Sequence, residues 1–172
     1  MLIRLLLITF FSLNAYALKP VQFVSIEKFS GLWYEIARTP NSYQENCVAS
    51  SVEYVLKNNE YKIYNRCFEN EIGGKLISYN GVGQSASKNK NSVAKIDMTY
   101  FWIFTKRYNI AYIDKDYKSA LVTDEDNEHI WIMSRTPKMK KKKLDLILDK
   151  LKDHIDLNTL IYTKQDKQGR YK

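Results

Sequence analysis

Apolar and polar residues alternate through most of the chain between residues 32 and 135, with the period of two that half-buried strands show. Turn residues divide this part into eight predicted strands, at 32–38, 48–56, 60–68, 75–87, 92–100, 108–113, 118–123 and 129–134. The connections are short and lack the spacing of βαβ units, so we predict an antiparallel meander. Eight strands without protected edges favour closure into an all-β, up-and-down barrel, whose interior holds side chains or one small ligand.

The pattern changes after the last strand. Thr136 is a good helix N-cap and Pro137 fits the first helical position. Apolar residues then recur at spacings of three and four, at Leu144, Ile147, Leu148, Leu151 and Ile155. We expect one C-terminal helix, packed by this stripe against the outside of the barrel, and a short strand at 159–163.

The first predicted strand has no clearly apolar face. In a regular strand Trp33, Glu35 and Ala37 share one side, and Tyr34, Ile36 and Arg38 the other. Each side mixes apolar and charged residues, so the strand alone leaves open which side faces the interior.

The N-terminal residues 1–17 have the features of a secretory signal peptide, with a basic start, a short apolar run and a small-x-small site before Leu18. A membrane anchor is the alternative, but the run is shorter than the ~20 residues that span a bilayer. We therefore expect residues 18–172 to form one domain in the periplasm or outside the cell. Leu18 stands where a lipoprotein would carry a cysteine, so no lipid anchor is expected.

Cys47 and Cys67 are the two cysteines of the chain, and an even number in an exported protein suggests a disulfide. The alternative is two free, buried thiols. If Asn58 and Asn59 form a two-residue turn, however, the regular register places Cys47 and Cys67 on opposite faces. A β-bulge between Cys47 and Val52 would correct this, and so would Cys47 lying in the loop before the strand. We favour the loop.

The chain is basic, with 27 Lys and Arg against 19 Asp and Glu. Five lysines form one run: Lys138, Lys140, Lys141, Lys142 and Lys143. We interpret the run as a solvated helix face, with peripheral contact to anionic membrane as the alternative; export argues against nucleic acid. His129 and His154 are isolated from each other and from the cysteines, so neither a metal nor a cofactor is expected.

Three separated stretches together resemble the lipocalin family, and within it the bacterial lipocalins akin to apolipoprotein D. They are GLWYEIAR at 31–38, DKDY at 114–117 with ALV at 120–122, and IWIMSRTP at 130–137. The resemblance implies that Trp33 closes one end of the barrel under the guanidinium of Arg135, and that Gly31 lets the chain arch there. Asp116 and Tyr117 belong to the second motif and are expected to be structural.

The resemblance also implies a ligand cavity. With Arg135 at the closed end, Met133, Trp131 and His129 are expected to point inward. On the other strands the family pattern suggests Val52, Tyr54, Ile63, Asn65, Ile110, Tyr112, Leu121 and Thr123. A packed core without a cavity is the alternative.

The function that the resemblance implies is that of an exported carrier or store for a small hydrophobic ligand such as a fatty acid or lysophospholipid, acting in cell-envelope lipid maintenance. The chain shows no Gly-x-Ser-x-Gly elbow, phosphate loop or Cys/His pair, so we do not expect an enzyme. The alternatives are a catalytic lipocalin and an exported inhibitor that acts through its loops. A monomer or a weak dimer is expected.

Overall fold

Strands make up most of the regular structure of residues 18–171, which the computed structural model describes. The predicted signal peptide lies outside the described residues. In chain order the elements are α1 (Ile26–Phe29), β1 (Gly31–Arg38), β2 (Cys47–Lys57), β3 (Glu60–Glu69), β4 (Leu76–Ser85), β5 (Lys95–Tyr100), β6 (Phe104–Ile113), β7 (Ser119–Asp124), β8 (Ile130–Ser134), α2 (Lys141–Leu151) and β9 (Ile161–Tyr162), with short 3₁₀ turns at Ser42–Gln44 and Leu157–Thr159.

The first eight strands close into an antiparallel barrel. Each strand pairs with the next from β2 to β8, β8 pairs with β1, and β1 pairs with β2 to complete the ring. The predicted eight-stranded barrel is confirmed. The predicted short C-terminal strand is also present, as β9, which pairs with the end of β1.

The β2–β3 hairpin has the predicted two-residue turn. Asn58 and Asn59 both have positive φ, 52° and 62°, as the tight turns of hairpins require. Lys57 pairs with Glu60, and the same register continues to Ser51 and Arg66.

Beyond that point a bulge shifts the register between Val48 and Ser51, so that Cys47 pairs with Glu69. Ala49, inside the bulge, has a φ of 52°. Cys47 and Cys67 now share a face, and they form a disulfide with a Cα–Cα separation of 5.5 Å. The disulfide is confirmed. Our preference for Cys47 in the loop is wrong, because Cys47 is the first residue of β2 and the bulge brings the two together.

A second bulge lies in β1, where Glu35 pairs with Met133 but Ala37 pairs with the next residue, Ile132. A bulge reverses the facing of every residue after it. Trp33 and Glu35 therefore face the interior together, whereas Ala37 lies in the outer cluster. Arg38, expected on the opposite face from Glu35, comes to the same side.

Helix α2 packs on the outside of the barrel, as predicted. Ile147 and Leu151 are fully buried in a cluster with Leu121, Ile130 and Ile132. The helix begins at Lys141 and not at Pro137, so the predicted N-cap is wrong. The Arg135 backbone N–H donates to Lys118 (2.9 Å) and the Thr136 hydroxyl to the carbonyl of Lys138 (2.8 Å), and these contacts hold the chain in a non-helical path. Within residues 18–171, no helix is long and apolar enough to cross a membrane.

Candidate functional site

A cavity of about 880 Å³ occupies the barrel and opens at one end. Its base is apolar and is formed by Phe29, Trp33 and Tyr54. The open end, which we call the mouth, is formed by the loops at residues 39–46, 70–75, 101–103 and 125–129. The alternative of a filled barrel without a cavity is wrong.

The opposite end, which we call the floor, consists of α1, Trp33 and Arg135. The Arg135 guanidinium carbon lies 3.8 Å from the centre of the Trp33 ring, close enough for a cation–π interaction. Its nitrogens donate to five backbone carbonyls, those of Lys28, Phe29, Ser30, Leu32 and Tyr117. The contact expected from the family resemblance is confirmed.

The floor leaves almost no room for substitution. Trp33 is fully buried and donates from its indole nitrogen to the carbonyl of Phe29 at 2.9 Å. Burial lowers the pKa of Arg135 to about 10, which is still above neutral pH, so the guanidinium remains charged. Gly31 has a φ of 94°, which strains any other residue, and a Cβ there would also lie 3.3 Å from the Arg135 guanidinium, a tight contact.

The second motif supplies a turn at the floor. The Tyr117 hydroxyl accepts from the backbone of Ser25 at 3.0 Å, which supports its predicted structural role. Asp116, predicted to be structural, is exposed. The buried carboxylate of this turn is Asp114, which accepts from the backbone N–H groups of Lys118 and Ser119 and from the Lys143 ammonium.

Five of the eleven residues that we proposed as ligand contacts lie on the cavity wall: Val52, Tyr54, Asn65, Trp131 and Met133. Ile63 and Ile110 belong to the buried core cluster inside the barrel and do not reach the wall.

The inward orientation that we predicted for Tyr112, Leu121 and Thr123 is wrong. A bulge at Ala111 pairs Tyr112 with Leu121, and both belong to the cluster under α2. In β7 the residues facing the core are Ala120 and Val122, so Leu121 and Thr123 alternate to the outside.

His129 lies at the mouth and not on the cavity wall. Its Nδ1 is 2.6 Å from Oδ2 of Asp124, and its ring stacks on that of Trp131 at a centroid distance of 6.1 Å. Burial by itself would raise the pKa of Asp124, but hydrogen bonds from Lys106 and His129 outweigh it and lower that pKa. Asp124, Glu128 and His129 have the ligand types that bind metals, a grouping that the sequence did not reveal. The Lys106 ammonium, 2.8 Å from Asp124, already supplies a cation there.

One wall of the cavity is polar. Glu35, which is only 2% exposed, accepts from Arg38 at 2.8 Å and from the Gln44 amide at 2.6 Å. The oxygen of that amide accepts from the Trp131 indole at 2.8 Å. The positive charge of Arg38 thus balances the negative charge of Glu35. Ser50 lies on the same wall, and its buried hydroxyl has no hydrogen-bond partner among the described residues.

Sequence reasoning missed the residues at the mouth that come from β5, β6 and the loop between them. Residues 104–107 were not assigned to a strand, yet Phe104, Lys106 and Tyr108 of β6 all line the cavity, as do Phe101 and Ile103. A three-residue loop between paired aromatic residues, Tyr100 and Phe104, was the pattern that could have indicated this hairpin.

Comparison with known proteins agrees with this geometry. The chain matches the lipocalin-like domain family over residues 24–165. The chain belongs to the lipocalin family. Membership implies a small hydrophobic ligand for the cavity.

Among curated relatives, the outer membrane lipoprotein Blc of Vibrio cholerae is 27% identical over 158 residues, which cover 87% of each chain. Blc of Escherichia coli K12 is 23% identical and covers 81% of this chain and 78% of its own. These two relatives place the chain near the bacterial lipocalins. Temperature-induced lipocalin-1 of Arabidopsis thaliana is 28% identical, covering 84% of this chain and 81% of its own.

Solved structures share the fold. Insecticyanin from the tobacco hornworm Manduca sexta aligns with a TM-score of 0.71 at 20% identity, covering 86% of this chain and 84% of its own. Lobster apocrustacyanin A1 aligns with a TM-score of 0.64 at 20% identity, covering 83% and 80%. At this level of identity the likeness supports the barrel architecture alone.

Proposed function

We propose that the protein binds a lipid with a long acyl chain, such as a fatty acid or lysophospholipid, and carries or stores it in the barrel. The observation that carries this proposal is the cavity itself, about 880 Å³ in volume, closed at an apolar base and open at the mouth. Cavities of ~300–1,000 Å³ are typical of small-molecule sites.

The shape of the site suits an amphiphile. An acyl chain that enters towards Phe29, Trp33 and Met133 meets apolar and aromatic side chains. Each buried methylene contributes ~0.8 kcal/mol before the costs of ordering the chain. A ligand of this class therefore gains affinity in proportion to its chain length.

The polar groups near the mouth suit a head group that accepts or donates hydrogen bonds. Ser50 lies on the polar wall of the cavity, and its hydroxyl is unpaired within the described chain, but the oxygen is buried and would have to rotate towards the cavity to reach a head group. The cations that line the mouth are already paired, Arg66 with Glu53 at 3.1 Å and Lys106 with Asp124 at 2.8 Å. Glu35 is paired with Arg38, so we do not expect it to supply a free charge to the ligand.

We place the protein in the cell envelope, where it would act in lipid maintenance. Two relatives are named outer membrane lipoproteins, and an intramolecular disulfide suits an oxidising compartment. Four of the five lysines of the run are exposed, which agrees with a solvated face, and peripheral contact with anionic membrane stays the alternative. Two of its five members are already paired, Lys141 with Asp145 at 2.7 Å and Lys143 with Asp114 at 2.9 Å, which leaves Lys138, Lys140 and Lys142 for such a contact.

We propose that the chain is a carrier and not an enzyme. A reactive thiol would have favoured the catalytic alternative, but Cys47 and Cys67 are bonded to each other. An inhibitor acting through its loops would bind a partner protein irrespective of the cavity, and the experiment below separates the two.

Native mass spectrometry of the purified protein, followed by extraction and identification of bound lipid, tests the proposal. Displacement of a fluorescent fatty acid by unlabelled fatty acids of increasing length then measures the dependence on chain length. We expect one ligand per chain and tighter binding with each added methylene. Affinity that does not change with chain length would contradict an acyl-binding cavity.

A further inference from the structure

The loop between β5 and β6, together with the first residue of β6, carries four large apolar side chains into solvent. Phe101 is 64% exposed, Trp102 96%, Ile103 75% and Phe104 66%. We call these four residues the hairpin tip. Contiguous exposed apolar side chains of this size mark an interaction surface in a folded protein.

The backbone of the hairpin tip shows that turn geometry did not select these residues. Phe101 and Trp102 have positive φ, 50° and 69°, a conformation that residues with side chains disfavour and that glycine or asparagine adopts freely. Two aromatic residues therefore occupy the positions where a hairpin would ordinarily carry small or polar ones. Conformations of this kind cluster at functional sites in proteins.

The hairpin tip continues the apolar lining of the cavity to the outside. Phe101, Ile103 and Phe104 line the mouth with one part of their surface and face solvent with another. An apolar ligand could pass along this surface without crossing bulk water, provided that the hairpin tip itself is immersed in an apolar medium.

The charges around the hairpin tip identify the partner. The other loops of the mouth expose five acidic side chains and one lysine, Lys75. The acidic ones are Glu45, Glu71, Glu125, Asp126 and Glu128, of which Glu125 is paired with Arg107 at 3.4 Å. Two copies meeting mouth to mouth would bring these carboxylates together, which like-charge repulsion opposes. Strongly anionic lipid is opposed for the same reason. A zwitterionic bilayer presents cationic choline or ethanolamine groups at its surface and avoids this repulsion.

We propose that the hairpin tip inserts into the surface of a zwitterionic bilayer and sets the mouth against it. Tryptophan favours the boundary between head groups and acyl chains, where one part of the ring is apolar and the other wet. This contact is distinct from that proposed for the lysine run, because Lys138 and Lys140 follow Arg135 at the floor, at the other end of the barrel. It does not depend on which ligand the cavity holds.

Flotation with phosphatidylcholine vesicles tests the proposal. The mass of the protein should first show which residue is its N-terminus, because the apolar run in residues 1–17 could itself bind vesicles. We expect Trp102→Ser to weaken vesicle binding by about tenfold, because one large aromatic side chain is no longer there to be buried in the bilayer. Binding of fatty acid in solution should not change, since Trp102 does not line the cavity. Vesicles should also shift tryptophan emission to the blue in the original protein and not in Trp102→Ser.

Two matched variants separate the hairpin tip from other surfaces. Phe23→Ser removes another exposed aromatic residue, 49% exposed, near the floor, and should leave binding unchanged. Lys138→Ser with Lys140→Ser should reduce only the additional, salt-sensitive binding to vesicles that contain phosphatidylglycerol.

The proposal is overturned if phosphatidylcholine vesicles do not bind, if Trp102→Ser binds them equally well, or if Phe23→Ser loses as much. It is also overturned if the protein forms dimers that Trp102→Ser dissociates while vesicles have no effect, because a second copy would then cover the hairpin tip.

Discussion

At the floor a single guanidinium donates to five backbone carbonyls over a fully buried indole, whereas at the mouth four large apolar side chains face solvent and the buried Ser50 hydroxyl has no partner among residues 18–171. The floor satisfies its polar groups internally. The mouth leaves both polar and apolar groups for something else to satisfy. We infer that the floor supplies stability and the mouth supplies binding, and substitutions at the two ends should separate these properties.

The largest effect on stability is expected at the floor. Trp33→Ala should lower the free energy of unfolding by about 3–5 kcal/mol, because a buried aromatic ring is lost and a void remains. Arg135→Ala should cost about 3 kcal/mol, since five carbonyls lose their donor. Denaturant titrations measure both. The double variant should lose less than the sum, and strict additivity would contradict the direct contact.

The disulfide is the corresponding fastening at the mouth, and its loss should cost slightly less. Cys47→Ser with Cys67→Ser should lower the free energy of unfolding by about 3 kcal/mol, the loop-closure entropy for a separation of 20 residues. This cost should add to that of Arg135→Ala, because the two sites lie at opposite ends of the barrel. Intact mass after alkylation without reductant provides the chemical check, and two alkylated thiols would contradict the bond.

The sequence predicted the β2–β3 hairpin and the floor of the barrel correctly, but for different reasons. Asn58 and Asn59 determine the β2–β3 register because a two-residue turn leaves one pairing, and this register was predicted correctly down to Ser51. The floor was predicted through three motifs whose residues meet there. The register follows from the turn residues themselves, whereas the floor contact between Trp33 and Arg135 was implied by the family resemblance that the motifs carry.

The bulges in β1 and β6 were not predicted, and the bulge between Cys47 and Val52 was named only as an alternative, because distant residues stabilise it. Ala49 donates from its backbone to the carbonyl of Lys164 at 2.8 Å and accepts from the Tyr171 hydroxyl at 2.8 Å, both more than 100 residues away. No glycine marks the position. Each bulge changes the facing on one side of it relative to the other. The regular alternation therefore failed for Ala37 and Tyr112, which lie beyond bulges, and held for Val52 and Tyr54, which lie between the β2 bulge and the hairpin turn that sets their register.

After the effects on stability, the next largest effect is expected on fatty-acid binding. Met133→Glu places a carboxylate on the cavity wall and should weaken fatty-acid binding by about 100-fold, because the charge must be desolvated beside the acyl chain. The barrel should remain folded, since the cavity can admit water to the new group. Fluorescent fatty-acid displacement measures the loss. Val55→Glu, at a 43% exposed position of β2, is the control and should bind normally. Unchanged affinity in Met133→Glu would place the ligand outside the cavity.

A smaller, pH-dependent effect is expected from one buried aspartate at each end. Burial by itself would raise the pKa of Asp114, but hydrogen bonds from Lys143, Lys118 and Ser119 outweigh this effect and lower the pKa. The pKa of Asp124 is lowered in the same way, by hydrogen bonds from Lys106 and His129. A lowered folded-state pKa stabilises the fold above the unfolded value of ~3.9, and the contribution is lost as the pH falls through the folded value.

Asp114→Asn and Asp124→Asn should each therefore cost about 1 kcal/mol at pH 7, with little cost remaining once the pH is below the folded pKa. Urea titrations at several pH values measure this. Asp116→Asn, in the same turn but exposed, is the control and should show no such dependence. A cost that stays constant down to low pH would show that the carboxylates act by shape and not by charge.

The smallest effect concerns two neighbouring lysines on α2. Lys143 bonds to Asp114 at 2.9 Å and so ties the helix to a turn at the floor, whereas Lys142 is exposed and has no ion pair among the described residues. The Lys143 side chain is 43% exposed, so solvent screens the pair and its contribution is small.

Lys143→Ala should cost about 0.5 kcal/mol and Lys142→Ala less than that, because alanine is at least as good a helix former as lysine. Thermal unfolding at low and high salt resolves the two, since only the Lys143 effect should shrink as salt rises. Equal costs in both variants would show that the ion pair does not fasten the helix, and that the apolar contacts of Ile147 and Leu151 hold α2 against the barrel by themselves.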